Sequence, residues 1–403
     1  SRPLRMPHAN PATSLPGYLS LARAALLLRR SVRLSGMAKY VCAFLIFASC
    51  ATLVAPSVLL GSDDRLSAGR SYLRGGRSVR SGLNLSSSVA IQPLVPVGPA
   101  TPIKFLISSF QDGERCANTL FQALAKAEHP ERLFFNVLQA VGPRDAHCDE
   151  EFRQNQAPKL CRQAAGDADV CLRNVLGRVR FQSISLQEGQ GPVHQRGLLS
   201  EFADLSGEGA MCLATDSHMD FVQHWDRLIL QDWAATDNEF AVLSAYPFGT
   251  SQLDLAGPGN WVELCGYFLT SQQIPRGATA RPVMEGGQTQ GSPHLTMNWA
   301  AGQSLARCHA ERNVPVDKNL VWMFDGEEVN RAVRFWTSGY DLYNPRVSVV
   351  LHNYSAAVQK FWSYSRKDMP EKRQASEARL KDLLQGKVAP DAYGRDGLGD
   401  QRS

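Results

Sequence analysis

Past residue 100 the chain alternates between short apolar runs and stretches whose apolar residues recur at helical spacing. Ile103-Lys104-Phe105-Leu106-Ile107-Ser108-Ser109 is a run of strand length, closed by the polar turn Gln111-Asp112-Gly113. From Cys116 to Ala127 the pattern changes period, and Leu120, Leu124 and Ala127 mark one apolar helical face. Leu133 to Val141 predicts a second strand. A β-α-β start predicts an α/β fold with a parallel sheet and ligands at the carboxyl ends of its strands, here Ser108–Asp112.

The pattern continues with strands at Arg178–Leu186, Phe240–Tyr246 and Trp261–Leu269. Helices are expected at Arg196–Phe202 and over Phe221, Trp225, Leu228 and Trp233. Residues 142–176 read as a variable loop with a short helix. Residues 270–293, rich in Gly, Pro and Gln, read as a loop long enough for an active-site flap. Phe324-Asp325-Gly326-Glu327-Glu328 opens a helix whose expected buried face is Val329, Ala332, Val333 and Trp336. Tyr340 to Pro345 reads as a turn, and Val347–Leu351 as a strand ending on His352. After Val358 the chain is polar and basic, with a helical stretch near Ala375–Leu384 and no evident chemistry.

Composition bounds the class. A chain of 403 residues, 44% hydrophobic and 20% charged, can bury a substantial core. The net charge is +5, but basic residues cluster before residue 80, so the core carries no nucleic-acid footprint. Val41 to Leu60 is apolar and uncharged, which is bilayer length. Its basic flank favours a signal-anchor with a cytoplasmic N-terminus; a cleaved signal peptide starting at Met37 competes. The expected organisation is a basic segment 1–40, a membrane segment 41–60, a stem 61–101, a catalytic domain 102–355 and a polar tail 356–403. Nine cysteines without a Cys-x-x-Cys pair exclude a zinc knuckle and leave disulfides open.

The candidate chemistry starts where the apolar strand Gly209–Leu213 runs into Asp216-Ser217-His218. At a strand end the chain turns, so this carboxylate and imidazole can converge on one ion. Oxygen and nitrogen together suit Mn²⁺, and also Mg²⁺ or Zn²⁺. Glu327 and Glu328 lie in the first turn of a helix, where simple electrostatic capping also explains them. Trp225 and Trp336 read as core rather than as sugar platforms.

Three blocks together resemble a known family. They are Ser108-Ser109-Phe110-Gln111-Asp112 with Cys116 and Thr119-Leu120; Asp216 to Phe221 with Trp225-Asp226; and Phe324 to Glu328 through Arg334 to Asp341, then Tyr343, Pro345 and His352. Over roughly residues 102–354 this is similar to the N-acetylglucosaminyltransferases that attach α-GlcNAc to hydroxyproline or threonine of polypeptides. The resemblance implies a GT-A, Rossmann-type domain with a mostly parallel sheet flanked by helices. It implies a UDP-GlcNAc donor, a polypeptide acceptor, a divalent metal and retention of configuration. Asp216, His218 and His352 match the family's metal ligands. Glu327 and Glu328 match its catalytic Gly-Glu-Glu motif. Ser109, Asp112, Arg196 and Asp216 fall where the donor is held. Gln111 and Ala214 depart from the family pattern, where a basic residue and a Gln are expected. A membrane anchor would place the enzyme in the Golgi as a single-pass type II protein; a cytoplasmic branch of the family is the alternative.

Two other classes compete. A mononuclear iron oxygenase also uses two His and one carboxylate, but its local order is His-x-Asp, the reverse of Asp216-Ser217-His218. A transferase-like binding protein without turnover would be expected to lose Asp216, His218, His352 or Glu328, all present here.

Overall fold

In the computed structural model, residues 96–387 are described, apart from 164–165, 265, 279, 285–292 and 356–365. The expected basic, membrane and stem segments lie outside the described residues. Among the described residues no helix is long and apolar enough to cross a membrane.

The strand Ile103–Phe110 (β1) is the inner strand from which the sheet grows. Its apolar run is continuous because both faces are covered. Ile103, Phe105 and Ile107 enter one core cluster, and Leu106 enters another on the opposite face. Phe105 stacks on Phe135 with ring centroids 4.6 Å apart. The helix Gly113–Lys126 (α1) buries Cys116, Leu120 and Leu124 against this layer. Leu133–Val141 (β2) and Val179–Ser185 (β3) follow in parallel, and Met211–Asp216 (β4) pairs parallel to β1 on its other side.

The sheet extends to eight strands through Ala241–Ser244 (β5), His294–Leu295 (β6), Gln303–Arg307 (β7) and Asp341–Asn344 (β8). The order is β6-β8-β5-β7-β4-β1-β2-β3. β7 is antiparallel to both β4 and β5, and β6 is antiparallel to β8, so the other six strands share one direction. The mostly parallel α/β sheet expected from the β-α-β start is therefore present, with a reversed strand in its middle.

Several expectations need correction, among them that Phe221 lies on the helix of Trp225 and Trp233: it ends the strand Met219–Phe221. Residues 142–176 hold more helix than the one short helix expected in a loop. They form Cys148–Glu151, Phe152–Gln156, Ala157–Gln163 and Ala168–Leu176 (α2), pinned by the disulfides Cys116–Cys148 and Cys161–Cys171. Residues 270–293 are not one flap: Pro275–Gly277 pairs antiparallel with Tyr267–Leu269, and Ala280–Met284 with Asn260–Leu264. Tyr340–Pro345 is not only a turn, because it holds β8, whose polar residues hide a strand set by pairing with β5. On the helix Glu327–Thr337, Trp336 is 40% exposed, and Phe335 takes the core position.

Between β3 and β4 lies Pro192–Phe202 (α3), and Trp225–Ala234 (α4) follows β4 with Trp225 and Trp233 fully buried, as expected. The Glu327–Thr337 helix (α5) and Met369–Leu384 (α6) complete the layers. The expected domain end at residue 355 leaves α6 outside, yet Leu380 is fully buried with Ile274, Met323 and Val329. Arg379 Nε donates to Asp317 at 2.8 Å, and Ser376 Oγ donates to the Val321 carbonyl at 2.7 Å.

A third disulfide, Cys212–Cys308, ties β4 to the end of β7 across 96 residues of sequence. Both halves are buried and Cys212 lies four residues before Asp216. The paired Cys212→Ser and Cys308→Ser variant should lose about 2–4 kcal/mol of stability. Urea unfolding without reductant measures this, and a change under about 0.5 kcal/mol would show that the bridge is not structural in this way.

Candidate active site

Asp216 is the last residue of β4 and pairs with Ser108 at the carboxyl end of β1. The chain then turns through Ser217 and His218 into the short strand Met219–Phe221. Val350–His352 pairs antiparallel with that strand, with His352 opposite Met219, and it pairs parallel with Phe248–Gly249. This register sets His352 beside His218. One ligand atom from each of Asp216, His218 and His352 lies within 4.8 Å of the other two. His218 Nε2 and His352 Nε2 are 3.0 Å apart, and His352 Nε2 is 3.4 Å from Asp216 Oδ2. Two imidazole nitrogens and one carboxylate oxygen aimed at one point fit a divalent cation of the Mn²⁺ or Zn²⁺ type.

The three residues open into a cleft of about 580 Å³. On its floor Arg196, from α3, reaches two carboxylates. Its guanidinium donates to Asp216 Oδ1 at 2.5 Å and to Glu327 Oε1 at 2.6 Å. Burial opposes the Arg196 charge, but Glu327 and Asp216 outweigh it and hold its pKa above the ordinary value. Burial also pushes the Asp216 carboxyl up; the His352 hydrogen bond and the Arg196 charge overcome this and keep it well below the usual range. Glu327 goes the other way, because burial raises its pKa more than Arg196 lowers it.

Glu328 faces a different partner. The Tyr246 hydroxyl donates to Glu328 Oε1. Burial pushes the Glu328 carboxyl up to about 7 against that hydrogen bond, and neighbouring Glu327 adds to the rise. Burial and the Glu328 charge raise the Tyr246 hydroxyl in turn. Gly277 closes over this pair: a Cβ there would sit 2.6 Å from Glu328 Oε2 and 3.0 Å from the Tyr246 hydroxyl. Gly326, at φ +98°, starts the turn before the two glutamates, where a Cβ would meet Leu380 at 2.5 Å. The C-terminal helix thus backs the Gly-Glu-Glu turn, although the polar tail read as carrying no chemistry.

Asp216, His218, His352, Glu327, Glu328 and Arg196 all line one cleft. Ser109 does not. It is buried on the opposite face of β1, where its carbonyl accepts from Gln195 Nε2 at 2.6 Å; strand alternation presents Ser108 and Phe110 instead. Asp112 lines the cleft, but both of its oxygens already have protein partners. Gln111, at φ +50°, turns to the Asp145 carboxylate. Tyr246, Gly277, Arg115 and Tyr354 also line the cleft and were not singled out from the sequence. Tyr354, two residues past His352, has its ring 4.0 Å from that imidazole and its hydroxyl on the Pro247 carbonyl at 2.9 Å. That i+2 spacing from a predicted ligand was the one available signal.

With this geometry in place, the family is plain. The family model described as Glycosyltransferase (GlcNAc) matches residues 103–397, most of the chain, and the chain belongs to that family. No curated protein matches it. Among solved structures it is similar to GalNAc-T7 with UDP, GalNAc and Mn²⁺, at 12% identity over 73% of this chain and 49% of that one, TM-score 0.46. It is also similar to the mannosyltransferase PcManGT from Pyrobaculum calidifontis in complex with GDP-Man and Mn²⁺, at 10% identity over 71% and 67%, TM-score 0.38. A third is S. aureus TarS 1-349 in complex with UDP-GlcNAc, at 12% identity over 71% of each chain, TM-score 0.38. The chain spans about half the length of the GalNAc-T7 chain.

Because Glu328 titrates near 7 in the fold and near 4.5 in the unfolded chain, the folded state favours its protonated form. Its contribution to stability is greatest below pH 4.5 and is lost as the pH rises through about 7. Glu328→Gln should remove this loss, up to about 3 kcal/mol between the two limits. Urea melts of both proteins from pH 4 to 8 measure the difference; parallel curves would show that the burial of Glu328 does not hold in solution.

Proposed function

We propose that this chain is a metal-dependent, retaining glycosyltransferase of GT-A type that moves GlcNAc from UDP-GlcNAc to a hydroxyl of a polypeptide, on Thr, Ser or hydroxyproline. The observation that carries the reading is the convergence of Asp216, His218 and His352 in one cleft with Glu327 and Glu328, in a chain of the GlcNAc glycosyltransferase family. The polypeptide acceptor rests on the three sequence blocks quoted above. Three disulfides support an oxidising, secretory setting, and with the apolar run at 41–60 they favour a Golgi type II protein.

Asp216, His218 and His352 would hold the divalent cation, which when bound neutralises charge on the donor diphosphate. The protein's own groups do the rest. Arg196 adds a fixed positive charge on the same floor, which favours a departing diphosphate. Its two carboxylate partners hold it still, so little reorganisation is needed as charge develops. Glu328, poised near neutrality and braced by Tyr246, is able both to donate to and to accept from a sugar or acceptor hydroxyl. Glu327 is locked by Arg196 and acts through that arginine's placement.

The test is UDP release and sugar transfer by the full-length chain with UDP-GlcNAc and Mn²⁺, offered Thr, Ser and hydroxyproline peptides. Transfer should require the metal and fall to background in Asp216→Ala and His352→Ala. NMR of the glycopeptide should show the α-anomer. A β-linked product would end the retaining assignment. A folded protein that releases no UDP from any UDP-sugar would instead be a binding protein without turnover.

A further inference from the structure

Asp112 ends the turn after β1 and occupies the N-cap of α1. An Asp there normally turns its carboxylate to the first free N–H groups of the helix. This one does not: no side-chain cap bond forms. The carboxylate points across to the strand end of β4 instead. Oδ2 is 2.9 Å from His218 Nδ1 and accepts from the Ser217 hydroxyl at 3.1 Å, while Oδ1 accepts from Arg115 Nε at 2.7 Å. The side chain is 4% exposed.

We infer that Asp112 is a positioning residue that fixes the ring and tautomer of His218, rather than a contact to the nucleotide. A carboxylate only accepts, so Nδ1 must carry the proton and donate to it. The lone pair of His218 then sits on Nε2, the atom facing His352 Nε2 and the common point with Asp216. Arg115 on Oδ1 and Ser217 on Oδ2 stop the carboxylate from turning away. With His218 they use three of its about four acceptor positions, and both oxygens are engaged by protein. A carboxylate behind a ligating imidazole orients it and raises its basicity, and losing one typically costs 10–100-fold in metal affinity. The inference rests on the reading of Asp216, His218 and His352 as a metal site.

The experiment uses the full-length chain and Mn²⁺ alone, titrated by EPR without nucleotide, for wild type, His218→Ala, Asp112→Ala and Asp112→Asn. Asp112→Ala should bind Mn²⁺ about 10–100-fold more weakly. Asp112→Asn, which keeps the shape and one acceptor, should recover part of that loss. Pulsed EPR should count two coupled imidazole nitrogens in wild type and Asp112→Asn, and one in Asp112→Ala. The metal-free melting temperature of Asp112→Asn should match wild type, and uridine, which carries no phosphate, should bind metal-free wild type and Asp112→Asn alike. Mn²⁺ affinity unchanged in both Asp112 variants but lost in His218→Ala would overturn the inference and leave the metal site standing. Loss of uridine binding with Mn²⁺ affinity intact would overturn it in favour of a nucleotide contact. A wild type that binds no Mn²⁺ would remove the metal site and this role of Asp112 together.

Discussion

The site depends on one register. Val350–His352 lies antiparallel to Met219–Phe221 with His352 opposite Met219. Because side chains alternate along a strand, a slip of one residue would carry the imidazole to the other face. The pairing is held by what lies around it. Val350 and Leu351 are fully buried in the main core cluster with Phe221, and the Tyr354 ring packs tilted against the imidazole from two residues further on. An imidazole remote in sequence by 134 residues from His218 is thus brought beside it by ordinary apolar packing.

Charge is the second constraint. Asp216 and Glu327 are brought close in a partly dry cleft, and Arg196 between them makes that tolerable. Removing one partner of such a buried set leaves the others uncompensated. The arginine therefore has a structural role even before any donor arrives. The same burial leaves the two adjacent glutamates unlike each other. Glu327 is tied to a cation, and Glu328 to a neutral phenol, so side by side in the sequence they have different chemistry.

The sequence made the Rossmann-like half legible. The runs at β1, β2 and β4 are mostly apolar, and their lengths left little choice. The antiparallel half was harder to read. β7 is buried throughout yet spells Gln-Ser-Leu-Ala-Arg, and buried polar groups in it find partners remote in sequence, such as Glu239 for Arg307. β8 contains Asp341 and Asn344 and takes its form from pairing rather than propensity. For the site, Asp216, His218 and His352 were visible as residue types at strand ends. Tyr246 and Gly277 were not, because a lone Tyr after a strand and a Gly in a Gly-rich stretch carry no local mark. Ser109 was misplaced by one residue, the smallest error that alternation turns into the opposite face.

The helix α6 has a consequence for how the site comes into being. A ribosome makes the chain from the amino end, so β1, β4 and the strand bearing His352 all exist before Leu380 does. Until that leucine arrives, the wall behind the Gly326 turn consists of Ile274 and Met323 alone. The strand ends that carry Asp216, His218 and His352 can therefore come together in the nascent protein before the packing behind the two glutamates is complete.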